Sequence, residues 1–199
     1  STVATVGCLI DNTDNVTFDL TGDILISSGL SGIRLRNSDS NILNYTGNIS
    51  TTNSGEYGIS VIGGNSNAIT INGNININNS YGILANNGAS NIFTLNGNIN
   101  TTEDLGYGFF AIGDDDVTFT LNGNINTSGG DAAGMLLIAP TSYFNITLNG
   151  NINALGGSRS DAVNPRGIDI GNSQAGSTIT NLGIITTTAE VGGAAAYDI

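Results

Sequence analysis

The chain has 199 residues, 39% of them apolar, which is enough to bury a substantial core within one domain. The chain has sixteen Asp and Glu but only four Arg, and neither Lys nor His, so the formal net charge is −12. This charge disfavours nucleic acid and anionic membrane surfaces as partners, and no apolar run is long enough for membrane insertion. A single cysteine excludes an internal disulfide and, with no His, a zinc or iron–sulfur site.

Two series of glycines divide the chain into repeats. The first lies in the "NGN" motif and its variants and recurs every 24 to 33 residues, at Gly22, Gly47, Gly73, Gly97, Gly123, Gly150 and Gly183. The second precedes an apolar pair, at Gly7, Gly32, Gly58, Gly82, Gly108, Gly134 and Gly167. The step from second to first series is 15 or 16 residues, whereas the return step varies from 9 to 17. Length variation is therefore concentrated on one edge, where function is expected.

Between the glycines, apolar and polar residues alternate, as in "AITINGNINI" at 68–77, a pattern typical of a β-strand. The thirty Asn and twenty-nine Gly favour tight turns and left-handed backbone positions over helices. A unit of this length cannot bury its edges alone, but stacked units bury a continuous interior. We therefore predict an all-β fold, a β-solenoid of about seven coils of 24–33 residues, over a single domain 1–199.

Stacking predicts which residues face inward. One inward row is Phe18, Leu43, Ile69, Phe93, Phe119, Ile146 and Ile179, and a second is Ile24, Ile49, Ile75, Ile99, Ile125, Ile152 and Ile185. Outward amides at Asn74, Asn98, Asn124 and Asn151 should form hydrogen bonds from coil to coil. Cys8 aligns with Ile33 and Ile59 of other coils, so we interpret it as a small buried hydrophobe.

Tyr57, Tyr81 and Tyr107 precede a second-series glycine in three consecutive coils, which predicts a short aromatic ladder. Such a ladder could hold the face of a sugar, but we favour a packing role.

The run Asp114, Asp115 and Asp116 could offer oxygen ligands to calcium. We favour a solvated acidic turn and expect no cofactor and no metal, because calcium-binding nonapeptides are absent and the preceding coil supplies no acids at this turn.

Arg159, Asp161 and Arg166 bring acids and bases together in the longest insertion. Polysaccharide lyases and glycosidases use carboxylates or an acid–Arg pair in a cleft, so a carbohydrate-active enzyme is the competing class. The other loops are short, so we favour a surface ion-pair cluster and no catalytic residue. With the three tyrosines, these residues form the predicted interaction edge.

Threonine pairs at 51–52, 101–102 and 186–187 favour a further alternative, an ice-binding solenoid. The array is interrupted by Ile77–Asn78 and Ala154–Leu155, so this stays a minor alternative.

The repeats "ITLNGNINT", "YGIL" and especially "ITNLGIITTT" at 179–188 resemble the passenger repeats of bacterial autotransporters, the type V secreted surface proteins, over nearly the whole chain. The resemblance implies a right-handed parallel β-helix, an extracellular or cell-surface location, and an adhesive, aggregating or stalk role. It gives the expected function as a non-catalytic structural or adhesive solenoid, with a cell-surface glycan or protein as a potential partner.

The sequence opens at "VGCLI" and closes at "AYDI", which fall at the same phase of the repeat, without a visible polar cap. We expect head-to-tail stacking, either with flanking coils of a longer solenoid or between copies in a filament.

Overall fold

The computed structural model describes residues 6–52, 55–113, 115–138, 143–156, 165–171, 176–188 and 195–198, with only the backbone for Val6 and 195–198. The described residues form strands, turns and bends, without a helix. None of them therefore belongs to a helix long and apolar enough to cross a membrane. The all-β prediction is confirmed for this part of the chain.

The strands form three sheets, which we name A, B and C. Sheet A contains β1 (Val6–Asp11), β4 (Ser31–Arg36), β7 (Tyr57–Ile62), β10 (Ile83–Asn86), β13 (Tyr107–Ile112), β16 (Ala133–Ile138), β19 (Arg166–Gly171) and β22 (Ala195–Asp198). Sheet B contains β2 (Thr17–Thr21), β5 (Ile42–Thr46), β8 (Ala68–Asn72), β11 (Ile92–Leu95), β14 (Val117–Leu121), β17 (Phe144–Leu148) and β20 (Thr178–Asn181). Sheet C contains β3 (Ile24–Ile26), β6 (Ile49–Thr51), β9 (Ile75–Asn78), β12 (Ile99–Thr102), β15 (Ile125–Gly129), β18 (Ile152–Gly156) and β21 (Ile185–Thr188).

Each coil gives one strand to each sheet, and neighbouring strands in a sheet are parallel and come from consecutive coils. The fold is therefore the predicted β-solenoid. Its handedness stays a prediction from the sequence resemblance.

Both predicted inward rows are confirmed by the strand register. Phe93 pairs with Ile69 and with Phe119, and Ile99 pairs with Ile75 and with Ile125. A third row, from sheet A, completes the interior with Ile33, Ile59, Ile83, Phe109, Met135 and Ile168, all essentially unexposed. Burial of each large apolar side chain stabilises the fold by roughly 1.5–3 kcal/mol before the loss of entropy is subtracted, so these rows fix the register.

The coil count needs a refinement. In five consecutive coils, from β4–β6 to β16–β18, nearly all inward residues are buried. In the first and last three-stranded coils, inward residues such as Phe18, Ile24, Ile179 and Ile185 are only partly buried. The predicted number of about seven therefore includes two coils whose interiors are half open, because their described strands in sheets B and C are paired on one side only.

The stretch "AITINGNINI" forms two strands rather than one. β8 ends at Asn72 and β9 starts at Ile75, and the chain turns a corner at Gly73 and Asn74. A Cβ at Gly73 would lie 1.9 Å from the carbonyl oxygen of Gly47, and one at Gly97 would lie 2.0 Å from that of Gly73. The first-series glycines therefore recur because consecutive coils touch backbone to backbone at this corner.

Asparagine ladders join the coils at the same corner, as predicted. The Oδ1 atom of Asn74 accepts hydrogen bonds from the backbone N–H of Asn98 at 3.0 Å and from its Nδ2 at 3.1 Å. Asn98 and Asn124 repeat this arrangement in the next step. Because the amides accept backbone donors as well as side-chain donors, they satisfy polar groups that the corner would otherwise leave unpaired.

A second ladder, which the sequence did not predict, lies inside the solenoid. Asn41, Asn67 and Asn91 are fully buried, and each amide oxygen accepts from the preceding coil. Their Nδ2 atoms also donate to backbone carbonyls, for example from Asn67 to Ser38 at 2.7 Å. The ladder ends where Val117 takes the equivalent inward position.

Cys8 lies at the predicted inward position, but its side chain is less buried than predicted. Cys8 pairs in register with Ile33 and packs against the core, but its side chain is only half-buried, because among the described strands β1 has a neighbour on one side only. Burial nevertheless raises the pKa of the thiol above its ordinary value.

Candidate functional site

Three tyrosines form a stacked ladder on the outside of sheet A. The ring centroids of Tyr57 and Tyr81 are 5.4 Å apart, and those of Tyr81 and Tyr107 are 5.2 Å apart, with nearly parallel planes. Phe110 contacts the rings of Tyr81 and Tyr107 edge-on, at 4.8 and 5.6 Å, and so fixes their orientation. The predicted aromatic ladder therefore exists.

The register extends this row beyond the tyrosines. Tyr107 pairs with Ala133, and Ala133 pairs with Arg166 in the next coil. The same row therefore carries a ring, then a methyl group, then a guanidinium group. Because Ala133 carries only a methyl group, a space remains beside it between Tyr107 and Arg166, although Ala133 itself is only 3% exposed.

This space is a pocket with a volume of about 150 Å³. Its walls include Leu105, Tyr107, Asp131, Ala133, Arg166 and Asp169. A second cavity, of about 180 Å³, lies beside Tyr57 and Tyr81 and also borders Leu105. Leu105 thus stands between two cavities that follow the ladder.

Leu105 has an unusual backbone conformation. Its φ angle is 60°, and its side chain is 49% exposed. A bulky residue in the left-handed region is strained, and an exposed apolar side chain gains little from being held there. Strain of this kind occurs more often at functional sites than elsewhere.

The pocket carries charges of both signs. Arg166 forms an ion pair with Asp169, three residues later on β19, and the two side chains keep relative exposures of 31% and 17%. Burial raises the pKa of Tyr107, and the nearby Tyr81, Asp131 and Asp169 raise it further, whereas Arg166 lowers it. These effects place Tyr107, both carboxylates and the guanidinium group within one electrostatic environment.

The predicted interaction edge is only partly visible. Arg159 and Asp161 lie outside the described residues. Arg166 joins the tyrosine row and pairs with Asp169, a partner that the sequence did not suggest. Asp131, Asp169 and Leu105 were missed, although the position before each second-series glycine already aligned Ala133 and Arg166 with the tyrosines.

The predicted calcium ligands lie at another corner. Asp114 is outside the described residues, while Asp115 and Asp116 are exposed. Asp115 is bridged to Ala89, which itself is bridged to Asn65, and Asp116 has a φ angle of 55°. The residues at the equivalent turn position, Asn15, Ser40, Ser66 and Ser90, have the same conformation. Both acids therefore fit a tight turn, and the described residues include no group of three metal-ligating side chains.

The threonine pairs do not form a surface array. Thr101 pairs with Ile77 and is only 1% exposed, so it faces the interior, as does Thr127. An outward row of threonines does occur on sheet B, at Thr70, Thr94, Thr120, Thr147 and Thr180. The ice-binding alternative therefore has no surface array of threonine pairs among the described residues to support it, and a thermal-hysteresis measurement tests it.

No protein-family model matches the chain, and no significant match was found among curated proteins or among solved structures. The class of protein is therefore set by its own geometry: a β-solenoid of stacked parallel coils.

Proposed function

We propose that this chain is a non-catalytic, extracellular β-solenoid that acts as an adhesive or stalk segment or as a subunit of a surface filament. The observation that carries this proposal is the arrangement of the polar side chains on the outer surface. Along sheets B and C they form ladders from coil to coil, such as Asn72, Asn96, Asn122 and Asn149, joined at 2.7 to 2.8 Å. Side chains arranged in this way stabilise a rod and do not converge on a reacting atom.

The resemblance of the repeats to autotransporter passengers supports a location outside the cell, at a bacterial surface. A net charge of −12 suits a solvated surface rod, since like charges keep separate rods apart.

The proposed partners are further coils of the same kind, from a flanking segment or from another copy. Inward residues such as Leu20 and Ile24 in the first coil, and Ile179 and Ile185 in the last three-stranded coil, are only partly buried. A coil that pairs in the common register would complete their burial. A cell-surface glycan or protein is the proposed partner of the edge that carries the tyrosine ladder.

The competing candidate, a carbohydrate-active enzyme, is favoured by the pocket that holds Asp131, Arg166 and Asp169. Two assays on the same preparation separate the candidates. Beads coated with the chain are tested for retention under flow on cell layers and for association with each other. The soluble chain is incubated with pectin, alginate, hyaluronan and arabinan, and new reducing ends are measured.

We expect retention or self-association without release of sugar above the blank. Release of sugar that is lost in Asp131→Asn or Asp169→Asn would contradict the proposal and support the enzyme. Absence of both retention and self-association would also contradict it.

A further inference from the structure

The interrupted tyrosine row defines a slot of one coil. Strands in a sheet are about 4.8 Å apart, and the stacked rings of Tyr81 and Tyr107 follow this spacing with a centroid distance of 5.2 Å. A ring that enters this pocket would continue the ladder, with Tyr107 on one side and Arg166 on the other, and it would displace the groups that leave Ala133 only 3% exposed. A closed cavity of roughly 150 Å³ accepts benzene, so this pocket, of about 150 Å³, has room for one six-membered ring while the larger substituents of a pyranose stay outside it.

We propose that this slot binds one pyranose ring of an uncharged glycan, stacked on Tyr107 and hydrogen-bonded by Asp131, Arg166 and Asp169. This inference deepens the adhesive role proposed above and rests on it.

The walls of the slot select for a sugar. One wall is the face of Tyr107, held by Phe110, and it offers an apolar platform to the C–H face of a pyranose. The other groups are two carboxylates, which accept hydrogen bonds from hydroxyl groups, and one guanidinium group, which donates them. A purely apolar ring would leave these polar groups without hydrogen bonds to the ligand.

The charge of the slot selects against acidic sugars. Asp131 and Asp169 outnumber Arg166, so the three groups sum to one negative charge. The ion pair between Arg166 and Asp169 also holds both side chains in place before a ligand arrives, which lowers the entropy cost of binding. A uronic acid would bring a second negative charge next to carboxylates, whereas a neutral hexose would not.

The test is a titration with the methyl glycosides of glucose, galactose, mannose and N-acetylglucosamine, and with glucuronic acid. Saturation-transfer NMR measures contact with the sugar protons. Tyrosine fluorescence reports the site, because the chain has no tryptophan and only six tyrosines. We expect at least one neutral glycoside to bind with a dissociation constant on the order of 1 mM, which corresponds to a few polar contacts and one stacked ring, and glucuronic acid to bind at least about tenfold more weakly.

The decisive variant is Ala133→Tyr, which fills the slot with the residue that three other coils carry at this position. It should abolish sugar binding and leave the melting temperature unchanged or raised. Its matched control is Thr120→Tyr, which adds the same side chain in the middle of β14, on the outer face of sheet B, and should leave binding unchanged. Asp131→Asn keeps the shape of the slot and should weaken binding at least about threefold.

The proposed binding slot would be wrong if none of the neutral glycosides bound at tens of millimolar. It would also be wrong if wild type and folded Ala133→Tyr bound the sugar equally. A preference for glucuronic acid would overturn it too. If Ala133→Tyr fails to fold, unchanged binding in both Arg166→Ala and Asp131→Asn has the same consequence. These outcomes leave the proposed function standing as long as coated beads are retained or self-associate without sugar release.

Discussion

Asparagine has two different roles in this chain, and burial decides between them. Asn74, at the corner, accepts hydrogen bonds from the next coil while part of its side chain stays in water. Asn67 is fully buried, so both ends of its amide need a protein partner: its Oδ1 accepts from Asn41, and its Nδ2 donates to Ser38 and Asn91. The same residue type thus supports a solvated ladder and a dry one, since an amide has both a donor and an acceptor.

Neighbouring positions at one corner should lose very different amounts of stability when a negative charge is introduced. Ile75→Asp should cost more than about 4 kcal/mol of unfolding free energy, because Ile75 is unexposed and the new carboxylate has no partner. Asn74→Asp should cost less than about 1 kcal/mol, because a carboxylate already serves in the same ladder: Asp23 accepts from the N–H of Asn48 at 2.7 Å. Urea denaturation of both variants measures the difference, and equal losses would contradict the inward and outward assignment.

Stability should fall at alkaline pH through Tyr45. Its hydroxyl group donates to the carbonyl of Gly22 at 2.6 Å, and burial, with a smaller effect from Asp23, raises its pKa above the ordinary 10.0. The unfolded chain therefore loses this proton first, so the contribution of Tyr45 is complete below about pH 10 and declines as the pH rises towards the folded-state pKa. In Tyr45→Phe, the melting temperature should be lower at neutral pH but should fall less steeply above about pH 10. Tyr143→Phe is the control, because that ring is 48% exposed, and an identical slope in Tyr45→Phe and wild type would contradict this account.

At the scale of the strands and corners, close approach between coils explains both glycine series. Gly97 sits where a Cβ would lie 2.0 Å from the backbone of the coil before it. In the second series, a Cβ at Gly58 would lie 2.4 Å from a methyl carbon of Ile75 and 2.5 Å from the carbonyl oxygen of Gly82. Within the stack, both series therefore mark places where the solenoid has no room for a side chain. Gly22, in the first described coil, differs, because its Cβ position is open and its φ angle is 114°.

Alanine substitutions test this crowding. Gly97→Ala should destabilise the fold by more than about 3 kcal/mol, because the obstructing atoms belong to the backbone and cannot rotate away. Gly171→Ala should change stability by less than about 1 kcal/mol, because no atom of the described residues lies within 4 Å of its Cβ position. Thermal melts of the two variants give the comparison. A mild effect at Gly97 would mean that the coils are further apart at this corner than the structure shows.

The sequence predicted the strands and inward rows well because each row repeats one residue class at one phase. The row of Ile75 and Ile99 needed only an alignment of the "NGN" glycines. The buried ladder was missed because Asn67 and Asn91 stand beside turn residues and look like loop asparagines. The slot was missed for a different reason: it depends on Ala133, whose small size matters only once Tyr107 and Arg166 are placed on either side.

At the scale of the whole molecule, stability is a sum over neighbouring coils. Each strand pairs only with its counterparts in adjacent coils, and the inward rows continue through the stack. A solenoid of this kind behaves as a one-dimensional array, in which the loss of one unit removes one interface and leaves the others intact. Length can therefore vary without a change in the coil itself.

Removal of one coil provides the test at this scale. Met135 pairs in register with Phe109, so deletion of residues 109–134 joins Gly108 directly to Met135 and keeps every row in phase. The deletion also leaves the buried ladder intact, because that ladder ends at Asn91, before the removed coil. The shortened chain should keep its β-sheet circular dichroism and unfold in one transition, with a loss of roughly 1–4 kcal/mol, in proportion to the residues removed. Deletion of residues 109–121 removes half a coil, puts all later rows out of phase and should prevent cooperative folding. Equal behaviour of the two deletions would contradict a stack held together by register.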